Sequence, residues 1–438
     1  MKNALYTLLL IHMVSCTQKN AKSDEKATMN SLACKYVTLG LTIGQYDGDF
    51  VDAYYGPDSL KPKTRKQLKF PKDSLLNEVK TLRASFEKTG SETKNDTIKK
   101  RALWLSKQLT GFERRIKIFT GEYSAFDEES KDLFDAVAPV NSEKHFKLLI
   151  EQLDNVLPGT GSISDRYQKL AEKFLIPKNK IDTVFRAAIK EARRRTLQHY
   201  NLPKEESFTL EYVTDKPWSG YNWYQGKYKS IIQINISQPI FIIRAIDLAC
   251  HEGYPGHHVY NALLEKNLYR DKEWVEISLY PLFSPQSLIA EGSANYGIEV
   301  AFPGNEQTTF CKKVLMPLAG MDTTFADQYF QALSLSSQLN FARNEVARGI
   351  INGKMDDKEA ERWLRDYCLL TPKGATDYVR FTKKYRSYVI NYNYGQELVK
   401  NYIEKQAGAG DISQKRWQLF EQLLSHQFTA SDLKETKE

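Results

Sequence analysis

The seven histidines of this 438-residue chain are unevenly spread: three of them, His251, His257 and His258, fall within eight residues. They sit in the run Ala249-Cys250-His251-Glu252-Gly253-Tyr254-Pro255-Gly256-His257-His258-Val259-Tyr260. A His followed by Glu at the end of an apolar helix starts an HExxH pattern, in which His at i and i+4 share one helix face and hold a metal ion. Here i+4 is Pro255, which cannot ligate; His257 is at i+6 and His258 at i+7. On a regular helix those positions lie roughly 9 and 10 Å along the axis, whereas ligands about 2 Å from one ion must be only a few Å apart. The path must therefore be shortened. Proline breaks the helical ladder and glycine permits a sharp or left-handed turn, so Pro255-Gly256 is the pair to do it. A two-residue excursion there returns His257 to the place of an i+4 ligand, with His258 beside it.

A third ligand follows 291 − 258 = 33 residues later: Glu291, in Ser287-Leu288-Ile289-Ala290-Glu291-Gly292-Ser293-Ala294-Asn295-Tyr296-Gly297. A carboxylate among apolar and small residues is rarely buried unless it is paired or metal-bound. Gly292, Ser293 and Ala294 are expected to let this helix pack closely on the His helix. Cys250, Cys34, Cys311 and Cys368 show no CxxC spacing, so neither a disulfide framework nor a Cys-rich structural metal site is expected.

The run His251-Glu252-x-x-Pro255-Gly256-His257-His258, followed by Glu291-Gly292, resembles a bacterial domain of unknown function predicted to be a zinc metallopeptidase. It is similar in logic to the gluzincins, where two His from one helix and a Glu from a second bind zinc. Gly256-His257-His258-Val259-Tyr260 is also similar to the Gly-His-x-Leu-Tyr stretch of a helical carboxypeptidase family of that clan, which favours His257 over His258 as second ligand. The resemblance extends from Tyr36 to Lys405, and Asp52-Ala53-Tyr54-Tyr55-Gly56-Pro57 fits it. It implies a Zn²⁺ cofactor held by His251, His257 and Glu291, with one position open for water, as catalytic sites require. It implies Glu252 as general base, passing the water's proton to the leaving amine. Tyr392 best matches the family's C-terminal tyrosine and is the first candidate donor to the oxyanion, with His258 next. The surroundings of Tyr392, Arg386-Ser387-Tyr388-Val389-Ile390-Asn391-Tyr392-Asn393-Tyr394-Gly395, depart from the family pattern. So do Ala347 and Ile351, where many members carry Asp and His.

The elements that must position these residues are mostly helical. Apolar stripes at helical spacing mark Leu75–Glu87, Ile98–Thr110, His145–Leu157, Asp182–Tyr200, Pro239–Tyr254, Phe325–Ile351, Lys358–Tyr367 and Asn391–Gln406, and Ser284-Pro285 starts another helix. Phe208–Val213 and Ile231–Ile236 read as strands, with the aromatic loop Trp218–Tyr224 between them. The expected fold is mostly α, a gluzincin-like helical metallopeptidase with a small antiparallel sheet beside the zinc helix. Ile231–Ile236 is expected to pair with extended peptide substrate, and the aromatic loop to line the subsite. A weak boundary near residues 158–164 separates an N-terminal helical part (31–160) from a catalytic part (161–438), the two forming one compact unit.

The first residues add a destination. Met1-Lys2-Asn3, an apolar run from Ala4 to Val14 and Ser15-Cys16 describe a signal peptide over 1–15. Met13-Val14-Ser15-Cys16 resembles a bacterial lipobox, so Cys16 is expected to carry lipid, with a polar tether over 16–30. The expected location is the bacterial cell envelope, exported and anchored to the membrane through Cys16. Composition excludes disordered, coiled-coil and collagen-like classes: 41% of residues are hydrophobic and 26% charged. The net charge, 62 − 54 = +8, is dispersed. Lys190-Glu191-Ala192-Arg193-Arg194-Arg195 reads as a solvated helix face, and no nucleic-acid partner is expected. The expected function is zinc-dependent hydrolysis of peptide bonds. The alternative is a non-catalytic peptide- or glycan-binding surface lipoprotein on a peptidase scaffold; intact Glu252 argues against it. Oligomeric state is not encoded in any pattern.

Overall fold

A computed structural model describes residues 24–63, 66, 68–216, 218–409 and 413–434. The signal segment and Cys16 lie outside these residues. The tether assigned through residue 30 ends sooner, because residues 24–44 form the first helix, α1. Met29, Leu32, Ala33, Tyr36 and Val37 bury one face of it, the i, i+3, i+4, i+7, i+8 spacing of a helix against a core. Of the described residues, 68% are helical, with a small sheet.

Two compact units form where the sequence implied one, and the division does not fall near residue 160. The first unit runs to Glu122 and takes back Leu268–Leu282; the second comprises Tyr123–Asn267 and Phe283–Glu438. In the first, α1, α2 (Lys72–Glu92) and α3 (Asp96–Phe119) pack around Tyr36, Phe50, Phe86 and Phe112. Strand β1 (Val51–Tyr54) pairs antiparallel with the short strand Leu279–Pro281. That pairing joins segments more than 200 residues apart, which no composition shift along the chain reveals. A buried bidentate pair from Arg101 to Glu276, at 2.7 Å for each bond, fixes the returning segment.

The second unit begins with α4 (Phe126–Phe134), α5 (Glu143–Val156), α6 (Ile163–Glu172) and α7 (Ile181–Leu197). Three strands follow, β2 (Ser207–Val213), β3 (Gly220–Gly226) and β4 (Lys229–Asn235), in the order β2-β4-β3. The sheet is mixed where an antiparallel one was expected: β2 and β4 run parallel, β3 and β4 antiparallel. The aromatic segment expected as a loop is itself strand β3. Its residues alternate, with Asn222 and Tyr224 buried and Tyr221 and Trp223 outward, the period of two that a strand requires. Strand β4, expected to present an edge to substrate, is therefore central, with both sides taken. At the β3–β4 turn, Lys227 and Tyr228 both adopt positive φ. Buried Glu265 accepts both of their backbone N–H groups.

Then come α8 (Ile243–Leu248), a π-helical turn (Ala249–Gly253), α9 (His257–Leu264) and α10 (Pro285–Ala301). Short helices α11 (Glu306–Phe310) and α12 (Met316–Ala319) lead to α13 (Ala326–Gln338), α14 (Ala342–Ile351), α15 (Asp357–Tyr367) and α16 (Pro372–Tyr385). A 3₁₀ turn (Arg386–Val389) opens α17 (Ile390–Ala407), and α18 (Ser413–Ser425) and α19 (Ala430–Lys434) close the described chain. Among the described residues no helix is long and apolar enough to cross a membrane.

Helix α10 is buried along most of its length. One of its small residues serves a different neighbour from the one expected: Gly292 packs on Gly395 of α17. A Cβ on Gly292 would stand 2.4 Å from the carbonyl carbon of Gly395. The obstacle is backbone, so no rotamer relieves it. Gly292→Ala is expected to cost about 1–3 kcal/mol, the range for overpacking a tight interface. Chemical denaturation measures this, and an unchanged midpoint would refute the close helix contact.

Candidate metal centre

The path between His251 and His257 is shortened by the π turn and by Gly256. His251 lies in the π turn, where Tyr254 N–H reaches back to the Ala249 carbonyl at 3.0 Å. The Tyr254–Pro255 peptide is cis. Gly256 then folds its N–H onto the Cys250 carbonyl at 2.8 Å, and α9 starts at His257. Of the sharp or left-handed turn expected at Gly256, the left-handed form is absent, since its φ is −79°. Glycine is required for space: a Cβ there would lie 2.0 Å from the His251 carbonyl oxygen and 2.3 Å from that of Cys250.

His251, His257 and Glu291 converge. The Nε2 atoms of the two imidazoles are 3.1 Å apart, and Glu291 Oε2 lies 3.3 Å from His251 Nε2 and 3.7 Å from His257 Nε2. Around a tetrahedral ion with bonds near 2 Å, ligand atoms stand roughly 3.3 Å from one another. The hydrogen-bond network also fixes what His251 presents. Asn295 Nδ2 donates to the Tyr392 carbonyl at 2.8 Å, so its Oδ1 faces His251 Nδ1, at 2.9 Å. His251 must then donate from Nδ1, which leaves a lone pair on Nε2. Glu291 Oε2 is buried and accepts no well-formed hydrogen bond. At least two acceptor atoms thus face the same point with too few protons to satisfy them. A divalent cation satisfies all three, and the donor set fits zinc.

Tyr388 completes the geometry at Glu291. Its hydroxyl donates to Oε1 at 2.9 Å, so only Oε2 is left facing the imidazoles. Neither Asn295 nor Tyr388 stands out by residue type. Both carry a positional signal, however: Asn295 is four residues after Glu291, and Tyr388 four before Tyr392, each pair sharing one side of its turn. Tyr392 is 38% exposed, and its ring centroid lies 5.7 Å from that of Tyr388. Glu252 is buried, its carbonyl held by Asn222 Nδ2 at 2.7 Å. Gly220, at the start of β3, faces its carboxylate; a Cβ there would lie 3.0 Å from Oε1.

His258 is turned away from this role. It is fully buried, with Nε2 donating to Glu206 Oε2 at 2.9 Å and Nδ1 paired with the Ser230 hydroxyl at 2.8 Å. With both ring nitrogens engaged, it ties α9 to the sheet and has no donor left for an oxyanion. Glu206 gathers Tyr254 Oη at 2.6 Å and the Arg193 guanidinium as well. Arg193 is thus drawn out of the basic face of α7, whereas Arg194 and Arg195 pair with Glu191 on the helix itself. Cys250 is fully buried beside His251, a core residue as expected.

No protein-family profile matches the sequence, and no curated protein does. Solved structures are similar in fold at low identity. A candidate lipoprotein from Colwellia psychrerythraea aligns over 83% of this chain and 70% of its own, with 12% identity and a TM-score of 0.49. Metallocarboxypeptidase 1 of Trypanosoma cruzi aligns over 94% of each chain, with 11% identity and a TM-score of 0.46. An M32 carboxypeptidase from Deinococcus radiodurans gives the same coverage and identity at a TM-score of 0.42. At these values function must be read from the side chains.

Glu206 supplies a pH test of the layer beneath the ligands. Burial raises its pKa, but hydrogen bonds from His258, Tyr254 and Arg193 prevail and bring it down to about 2 from the ordinary 4.5. A carboxyl with a depressed folded-state pKa stabilises the fold above its unfolded value and loses that contribution as pH falls. The stability gap between wild type and Glu206→Gln is expected to close between about pH 4.5 and 2, by roughly 3 kcal/mol. Denaturant titrations across that range measure it; a gap independent of pH would refute the assignment.

Proposed function

We propose that this protein is a zinc-dependent hydrolase that cleaves peptide bonds. The observation that carries the reading is the convergence of two imidazole Nε2 atoms and the buried, unsatisfied Glu291 Oε2, with Glu252 following His251 in the chain. His251, His257 and Glu291 would hold the ion. Bound there, zinc supplies Lewis acidity toward a carbonyl and toward water.

The protein's own groups account for the rest of the reaction. Glu252, screened from bulk solvent, takes a proton from the attacking water and delivers it to the departing amine nitrogen. Asn295 keeps His251 in the tautomer that presents a lone pair, and Tyr388 keeps Glu291 a one-oxygen ligand. With His258 committed to the sheet, Tyr392 is the remaining candidate for donating a hydrogen bond to the oxyanion. The free edge of the sheet that borders Glu252 is β3, so extended substrate would meet that strand's backbone. We also propose export and attachment to the cell envelope through Cys16. Metabolic labelling with a radioactive fatty acid is expected to mark the wild type and miss Cys16→Ala; equal labelling would refute it.

Glu252→Ala is expected to retain stoichiometric zinc while losing at least about 10³-fold in hydrolysis of a peptide library, within the range of general acid–base catalysis. Full activity in this variant would exclude Glu252 as the base. A wild type that holds zinc and binds peptides without cleaving them would favour the non-catalytic reading.

A further inference from the structure

Where α16 ends, Arg386 adopts φ 55° and ψ −125°, a backbone region disfavoured for any residue with a Cβ. Such a conformation persists only where its surroundings hold it, and here one buried carboxylate binds both Arg386 and the residue after it. Glu129 on α4 is fully buried. Its Oε2 accepts Arg386 Nε at 2.6 Å; its Oε1 accepts Ser387 N–H at 3.2 Å and the Ser387 hydroxyl at 2.8 Å. The Tyr123 ring lies 4.4 Å from the Arg386 guanidinium carbon. The residue after Ser387 is Tyr388, whose hydroxyl occupies Glu291 Oε1. Replacing a buried ion pair with apolar side chains is often neutral or stabilising, so this pair calls for a reason other than stability.

We infer that Glu129 is a positioning residue for the metal centre: through Arg386 and Ser387 it sets the Arg386–Val389 turn so that Tyr388 holds Glu291 with Oε2 alone directed at His251 and His257. The inference rests on reading those three residues as metal ligands. Glu129 touches neither ion nor substrate; it acts on Glu291 through Arg386, Ser387 and Tyr388. Loosening the turn withdraws the Tyr388 hydroxyl and leaves Glu291 free to rotate. Partners of this kind typically change metal affinity 10- to 100-fold.

The test is zinc affinity, measured by competition with a chromogenic chelator, for wild type, Glu129→Gln, Tyr388→Phe and the double variant, with folding monitored by circular dichroism. Both single variants are expected to bind zinc 10- to 100-fold more weakly, and the double variant no more weakly than Tyr388→Phe, because both substitutions act through one hydroxyl. A folded Glu129→Gln with wild-type zinc affinity overturns the inference. So do losses that multiply in the double variant, which would mark Glu129 as merely structural. If Glu129→Gln does not fold, Ser387→Ala replaces it under the same criteria: weaker binding in the wild-type background, no further loss with Tyr388→Phe. A wild type that binds no zinc overturns the metal-centre reading along with the inference, whereas unaffected variants of a zinc-binding wild type overturn the inference alone.

Discussion

Two imidazole nitrogens and a carboxylate oxygen, 3.1 to 3.7 Å apart in a largely buried place, cannot remain there as uncompensated acceptors. Positive charge must be shared among them. Much of the second unit reads as the means of holding that arrangement. The π turn and Gly256 bring His257 back toward His251. The close contact of Gly292 with Gly395 sets α10 against α17, and those two helices carry Glu291 and Asn295 on one side and Tyr392 on the other.

Each of the three converging residues has its own support, and the supports differ in kind. His251 is oriented by an amide that is itself oriented by a backbone carbonyl. Glu291 is oriented by a hydroxyl. His257 sits in the first turn of a helix whose second residue, His258, is tied to Glu206 and Ser230. The cluster of Glu206, His258, Tyr254 and Arg193 is polar and mostly buried, yet nearly saturated with hydrogen bonds, which is the condition under which such a network rigidifies rather than weakens a core. Glu265 does similar work at the β3–β4 turn.

The convergence of His251, His257 and Glu291 was legible in the sequence because the chemistry is restrictive. Few residue types bind a metal, and their spacing either permits a shared ion or demands a remedy. Most helices were legible because burial on one face imposes a period of 3.6 residues. The aromatic stretch at 218–224 misled, since its turn-forming residues masked the alternation of a strand. His258 misled for another reason: its residue type fits a donor, but a side chain's partners are not written in its neighbours along the chain.

The sequence alone thus determined that His251, His257 and Glu291 belong together and that Pro255-Gly256 must bend the path between the two histidines. It also determined that helices do most of the positioning. Only the tertiary structure decided that glycine is needed at 256 for space, and that Gly292 of α10 packs on Gly395 of α17. It also decided that Asn295 and Tyr388 orient His251 and Glu291, and that residues 268–282 return to the N-terminal helices. The physical reason is common to all four: they are contacts between atoms distant in sequence or backbone approaches set by neighbouring turns. Local pattern records which face a residue must bury, and leaves open what it will be buried against.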